Sequence, residues 1–319
     1  MPLRSAFLIL SSDEAPLLEH SLAAAVGEQF DEGLVIDNAS SDATAALASR
    51  HGVPRLRLER RLPYTEAMNA GLRSVEGDAI AMLQADTFIT PGYREACLRA
   101  LWQSGVGAVA PKLLRATGPR PEDRLEAIDA AGMWVDRRRK NGLAGHGRRE
   151  LHFHRAGEVF GADGAAAVYR RETLEDCAVL DQVFDENMPG WACDADLAWR
   201  ARLFGWRAWY APDAVVHHIR RYSPSTRTGM SAADRRTQFR NRYLMIVKND
   251  SPSDLLRDLG PLLLYELLAA GYALLREREL LGGYREAAAR LPEARKRRRV
   301  VQARRRVRRV PFGMQPPSD

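Results

Sequence analysis

Short apolar runs alternate with amphipathic stretches through the first third of the chain. "SAFLIL" reads as a buried strand, and Ala15 to Val26 carries helical spacing. "GLVIDNASSD" is a strand running into a polar turn, with a helix over Ala43 to Arg50. "RLRLER" is a short strand, Thr65 to Val75 a helix, "AIAMLQAD" a strand, Tyr93 to Gln103 a helix and "VGAVAPKL" a strand. This order predicts an α/β fold: a doubly wound, mostly parallel sheet with right-handed crossovers. From Ala116 to Val159 the pattern loosens into irregular loops or a small antiparallel excursion. Beyond it, "GADGAAAVYRR" is a compact small-residue segment, Leu197 to Phe204 a helix, and "WRAWYAPDAVVHH" a pair of strands. Gln238 to Asn249 opens a helical C-terminal region.

The apolar stretch "DLLRDLGPLLLYELLAAGYALL" is interrupted by Asp258, Pro261 and Glu266. It is too short and too charged to span a bilayer, so it reads as an interfacial helix or one packed on a partner. At the other end, Ala6 to Leu10 is a first strand rather than the apolar core of a signal peptide. The cysteines Cys97, Cys177 and Cys193 are odd in number and form no CxxC, which favours a reducing cytoplasmic setting. Net charge is +7, yet Arg295 to Arg309 alone holds ten basic residues and no acid, leaving −3 for everything else. The basicity therefore belongs to this run, which suits an anionic membrane surface or is simply solvated. It lacks interleaved aromatics for base stacking, so nucleic acid is not expected as a partner.

Acids sit where an open α/β sheet places ligand chemistry, at the carboxyl ends of strands. Asp37 and Asn38 close one strand, and Gln84 and Asp86 close another. Asp194 and Asp196 lie just before a helix, and His217 and His218 end a late strand. Each group also has a plain structural reading, since Asp37 to Asp42 suits a turn and cap and the acids at 194 and 196 suit a helix dipole. Together they supply what nucleotide-sugar chemistry needs: a carboxylate base for a weakly nucleophilic hydroxyl, and ligands for a divalent cation that neutralises a diphosphate. No GxGxxG follows the first strand, and GxxxxGK[ST], GxSxG, CxxC and HExxH are absent.

From roughly Ser5 to Asn249 the chain resembles the family 2 glycosyltransferases of A-type fold, in particular their bacterial rhamnosyltransferase-like group. The resemblance is carried, in order, by "VIDNASSDAT", "MNAGLRSVEGDAIAMLQADTFITPGY", "GADGAAAVYRRETLE", "DENMPGWACDADLAWRARLFGWRAWYAPDAVVHH" and "FRNRYLMIVKN". It implies that Asp37 contacts the nucleoside, with Ser11, Asn38, Asn69 and Gln84 also on the donor side. Asp86 matches the last acid of the family's D-x-D and, with His218, would hold Mg²⁺ or Mn²⁺. Asp194 matches the base, while Trp191, Asp196 and Arg200 fall on the acceptor side. Two positions depart from the pattern: Gln84 stands for the first acid of D-x-D, and Cys193 for the glutamate before the base. Arg60 and Arg61, in a loop without the usual Asn-x-Gly, offer cationic phosphate contacts instead.

The implied activity is sugar transfer with inversion from a nucleotide sugar, with dTDP-rhamnose as first choice of donor. The acceptor would be a hydroxyl of a glycan or polyprenyl-linked glycan in cell-envelope polysaccharide synthesis, at the inner face of the membrane. The catalytic domain would occupy 1–250, with a donor half to about 115 and an acceptor half from 116, and 251–319 would form a helical, basic extension. A homodimer is compatible with this reading. The alternative is a protein of the same fold that binds a nucleotide sugar or polyanion without catalysis, which the replacements at Gln84 and Cys193 would suit.

Overall fold

Strand-forming runs buried on both faces organise the chain. The computed structural model describes residues 3–222 and 226–314. In chain order the first half gives β1 (Ser5–Ser11), α1 (Ala15–Gly27), β2 (Glu32–Asp37), α2 (Thr44–Arg50), β3 (Arg55–Arg57), α3 (Tyr64–Leu72), β4 (Ala79–Gln84), β5 (Thr87–Ile89), α4 (Tyr93–Leu101) and β6 (Val106–Ala116). The strands β3, β2, β1 and β4 lie side by side and parallel. Along β1, Leu8 faces one core with Ile36 and Met82, whereas Ile9 faces the other with Val35 and Leu83. Both faces are covered, so these strands read as unbroken apolar runs rather than as alternation.

The loosened region resolves into β7 (Arg124–Ala130), β8 (Met133–Val135), β9 (Asn141–Leu143) and β10 (Gly157–Val159). β7 runs antiparallel to β6, and β8 and β9 form a separate small hairpin. Then come β11 (Ala166–Arg170), α5 (Arg171–Cys177), α6 (Cys193–Leu203) and β12 (Arg207–His218). β11 is inserted antiparallel between β4 and β6, and it joins the parallel group β3-β2-β1-β4 to the parallel pair β6-β12.

The late strand pair expected over 206–218 is instead one strand. β12 pairs with β6, β10 and β5 along its length, with a shift of register between Ala211 and Val215. Pro212 and Asp213 look like a turn in sequence, but an irregularity in the ladder absorbs a proline that cannot donate to it. α6 begins one turn earlier than its apolar spacing indicates, after Ala192 in a left-handed conformation (φ 64°). Asp194 and Asp196 are therefore inside its first turn.

The C-terminal helices are α7 (Ala232–Asn249), α8 (Pro252–Arg257), α9 (Leu259–Leu275) and α10 (Leu280–Ala303). The basic run from Arg295 is not a loose tail. Arg297 donates to the Val179 carbonyl and to Gln182, and Arg298 to the carbonyls of Val247 and Asp250. Arg304 and Arg306 pair with Asp176, and Arg305 with Asp254. Half of its ten cations thus fasten α10 and the segment after it to the body.

Candidate functional site

The carboxyl ends of β1, β2 and β4 open on one edge of the sheet, and the chain after β4 brings Asp86 there. β5 pairs antiparallel with the end of β12, setting His218 opposite Thr87 and beside Asp86. Asp129, near the end of β7, lies behind His218 and accepts a hydrogen bond of 2.8 Å from its Nδ1. That bond fixes the imidazole, so its Nε2 points toward Asp86 Oδ1 at 3.7 Å, beyond hydrogen-bonding reach. Asp86 Oδ1 is buried with no partner. Burial raises the Asp86 pKa, against the pull of His218, Arg221 and Arg220.

Arg220 continues the chain of contacts. It donates to both Asp129 oxygens at 2.8 Å and reaches Asp163 Oδ2 at 3.0 Å. Burial alone would weaken its hold on the proton, but Asp163 and Asp129 raise its pKa. Burial would also raise the Asp129 pKa, yet His218 and Arg220 bring it down to about 2. Asp163 leads into β11, and the next residue, Gly164, donates its backbone N–H to Asp194 Oδ2 at 3.3 Å. Asp194 Oδ1 accepts from the Ala195 amide at 2.8 Å. Burial, reinforced by the negative charge of Asp163, lifts the Asp194 carboxyl to about 6. Tyr64, at the start of α3, donates its hydroxyl to the Gly164 carbonyl at 3.3 Å. Residues 86, 129, 163, 194, 218 and 220, scattered over more than a hundred positions, thus form one continuous polar wall. A carboxylate poised near neutrality stands at one end and an unsatisfied buried oxygen at the other.

The geometry distributes the remaining sequence candidates differently. Asp37 is buried and its carboxylate is already engaged: the Ser40 amide donates to Oδ1 at 2.8 Å, and Arg55 and Arg57 to Oδ2 at 2.6 and 2.9 Å. Burial opposes ionisation, but these donors lower its pKa overall. The group facing outward here is Arg57, half exposed, rather than the acid. Asn38 spends its amide on the backbone of Leu62 and on Ser12, pinning the loop of Arg60 and Arg61. Within that loop Arg61 pairs with Asp13 and Arg60 with Glu66. Ser11 is buried against Thr44. Asn69 bonds the backbone of Phe184 and Glu186 Oε1, tying α3 to the segment ahead of α6. Gln84 lies at the rim, partly exposed, with its backbone N–H bonded to Ala165 O.

Asp196 and Arg200 do not face an acceptor cleft. Asp196 is fully buried on the inner side of α6, where it accepts from Asn249 Nδ2 at 2.7 Å and pairs with Lys248 at 3.0 Å and Arg200 at 3.3 Å. Arg200 donates to the carbonyls of Cys177 and Val183. Two residues along a helix is about 200° around its axis, so with Asp194 turned toward Gly164, Asp196 turns toward Lys248 and Asn249. Trp191, by contrast, is partly exposed, tilted 6.1 Å from the Tyr222 ring and bonded to Asp234.

Sequence reasoning missed Asp129, Asp163, Arg220, Arg221 and Glu14. The last two pair at 2.7 Å next to Asp86, and burial, reinforced by the charge of Asp86, raises the Glu14 pKa. Asp163 lies inside the quoted "GADGAAAVYRRETLE" and Arg220 two residues beyond "APDAVVHH", and that placement was the available signal. Asp129 lies where the strand pattern fails and carried none.

Among the described residues no cluster of three or more acidic, histidine or cysteine side chains is placed to bind a metal. Asp86 Oδ1 and His218 Nε2 nonetheless fit as a pair. One is an orphaned buried oxygen, and the other is a ring nitrogen whose partner nitrogen is held by a carboxylate, as metal-binding histidines are. Such a pair leaves most of a cation's coordination to ligand oxygens, the usual arrangement for Mg²⁺ with phosphates.

Comparison with known proteins gives the family and the fold. The model of a family described as Glycosyl transferase family 2 matches residues 8–177, just over half of the chain. S. aureus TarS 1-349, crystallised in complex with UDP-GlcNAc, superposes with a TM-score of 0.61 at 14% identity, covering 99% of each chain. The mannosyltransferase PcManGT from Pyrobaculum calidifontis, in complex with GDP-Man and Mn²⁺, gives 0.54 at 18% identity over 95% of this chain and 86% of that one. GalNAc-T7 with UDP, GalNAc and Mn²⁺ gives 0.57 at 15% identity, over 77% of this chain and 48% of that one. At these identities the likeness is one of fold. A "TPR repeat-containing protein Synpcc7942_0270" of Synechococcus elongatus is 38% identical over 74 residues, a match that takes in 23% of this chain and only 18% of that protein.

Proposed function

Because the chain belongs to glycosyl transferase family 2, we propose that it moves a sugar from a nucleotide donor to a hydroxyl acceptor with inversion, using Asp194 as the base. The carrying observation is the placement of Asp194: a carboxyl at about 6, oriented by the Gly164 and Ala195 amides, at the end of a polar wall that leads to Asp86. Near neutral pH most of it is ionised and still basic enough to accept a proton from a hydroxyl as that oxygen attacks. The acceptor oxygen bonds to the anomeric carbon, the bond from that carbon to the nucleoside diphosphate breaks, and the hydroxyl proton passes to Asp194. Asp86 and His218 would hold a Mg²⁺ or Mn²⁺, which when bound supplies positive charge for the departing diphosphate. Arg220 and Arg221 lie close enough to Asp86 to lower its pKa, so they bring positive potential to the same place. Asp129 holds His218 and Arg220 in register, and Asp163 keeps Asp194 basic through like-charge repulsion.

Arg57 and Arg55, anchored on Asp37, form the nucleotide end of the cleft in this reading. The gap between Asp37 and Asp86 is spanned by β1, consistent with about two strand spacings, or roughly 10 Å. Trp191 and Tyr222 are the acceptor-side platform. The donor assigned by resemblance is dTDP-rhamnose, and the acceptor a glycan displayed at the cytoplasmic face of a membrane. A thermal-shift screen of nucleoside diphosphates and nucleotide sugars, with and without Mn²⁺, followed by transfer or donor-hydrolysis assays, tests this. Binding of a nucleotide sugar with no turnover by any acceptor would favour the non-catalytic alternative.

A further inference from the structure

The leucines of α8 and α9 are unusually bare. Leu256, Leu263, Leu264, Leu267, Leu268, Leu274 and Leu275 are each more than half exposed, and in α9 only Leu262 and Ala273 are buried. The one acid of α9, Glu266, is partly exposed but already engaged, accepting from Arg242 at 2.7 Å and from the Tyr243 hydroxyl at 2.5 Å. The outer face is therefore apolar over the whole helix, an area on the order of several hundred Å², above what scattered surface leucines explain.

What borders this face identifies its partner. At its far end Arg276 and Arg278 are exposed, while the acids beside them are already taken: Glu277 by Arg227 and Arg235, and Glu279 by Arg235. At its near end an open crevice of about 350 Å³ is lined by Arg137, Arg257, Arg309, Val310, Pro311 and Phe312. The carboxylates below it, Asp250, Asp254 and Asp258, are shared among Arg137, Arg139, Arg257 and Arg305, so the crevice keeps a positive surplus before Arg309 is added. Cations at both ends repel a second copy laid on the face in either direction, but they complement anionic headgroups. None of the described helices is long and apolar enough to cross a membrane.

We propose that α8 and α9 dock the protein on an anionic lipid bilayer, the leucines entering the headgroup–acyl boundary and the arginine crevice taking lipid phosphate. This relocates the contact expected of Arg295 to Arg309, half of whose cations are committed internally. It rests on the proposed function only for its purpose, which is to hold the cleft near a lipid-borne acceptor.

The test is flotation of the full chain with vesicles of phosphatidylglycerol and phosphatidylcholine against phosphatidylcholine alone, at two salt concentrations. The expected result is binding at least about tenfold tighter to anionic vesicles, weakened by salt. The L267E/L268E variant should lose more than about tenfold. R276Q/R309Q should lose about fivefold per charge and much of the salt sensitivity. Circular dichroism and an unchanged melting temperature establish that each variant is folded. Unaltered binding by L267E/L268E would overturn the proposal, as would equal binding to neutral vesicles. Absence of vesicle binding, with a wild-type dimer that L267E/L268E dissociates, would also overturn it and assign the face to a second copy. Donor turnover without vesicles is read separately, so failure of docking and failure of catalysis are distinguishable.

Discussion

The titration of Asp194 is where structure and chemistry meet most directly, and Asp163→Asn is the perturbation that isolates it. The Asp194 carboxyl rises from 3.8 to about 6. At about 1.4 kcal/mol per pH unit this is about 3 kcal/mol of preference for the neutral form. Burial is the larger cause and the charge of Asp163 the next. Asparagine keeps the size of Asp163 and an oxygen for the Ala165 amide, but removes the negative charge and frees Arg220 to act on Asp194. Both effects favour ionisation, so the pKa should fall by about one unit. The assay is kcat/KM for transfer or donor hydrolysis from pH 4.5 to 8.5 at constant ionic strength, which reports groups of the free enzyme. The wild-type acid limb should lie near 6, with about nine-tenths of the base ionised at pH 7, and it should move down in D163N. The same profile for His218→Gln checks that the limb is not the imidazole's. A wild-type limb below pH 5, or one that D163N leaves in place, would refute the electrostatic reasoning.

Asp194→Asn should lower turnover by about 10²- to 10⁴-fold. Because the folded-state pKa is raised from 3.8 to about 6, the native state loses stability as pH rises between those values and the loss is complete above about 6; D194N should therefore melt no lower than wild type at pH 8, and be up to about 3 kcal/mol more stable in urea. Arg220→Met strands two buried carboxylates, and chemical denaturation should register a loss of about 3 to 5 kcal/mol. The sign for Asp129 is the reverse of that for Asp194: its pKa is depressed to about 2, so its stabilising contribution is present above its ordinary range and disappears as pH falls toward 2, and an acid melt of R220M should lose the share of that component that Arg220 supplies while keeping the share from His218. Asp86→Asn should reduce Mn²⁺ or Mg²⁺ stimulation of nucleotide binding at least about tenfold, measured by calorimetry with and without metal, while leaving the melting temperature within a few degrees.

Much of the fold was legible because β1, β2, β4 and β6 are buried on both faces and so announce themselves as apolar runs. Where burial is uneven the signal failed. Pro212 and Asp213 mimic a turn although the strand passes through them, β7 opens on three exposed residues, and β8 to β10 have three residues each. Candidate residues at strand ends were legible by position, but position does not say which way a side chain turns. Asp37 and Asp196 look in sequence like Asp86 and Asp194. One is consumed by Arg55 and Arg57, and the other sits on the opposite side of its helix with Lys248 and Asn249. Asp129 was invisible because its meaning depends on His218 and Arg220, eighty-nine and ninety-one residues away.

β11 is bonded along both edges, to β4 on one side and to β6 on the other. A molecule stitched through its middle in this way cannot part its two groups of parallel strands without breaking the ladders of β11. Its reactive groups must stand at working distance before any ligand arrives, and the traffic of substrates has to be managed at the rim, by loops and by whatever surface the protein rests on.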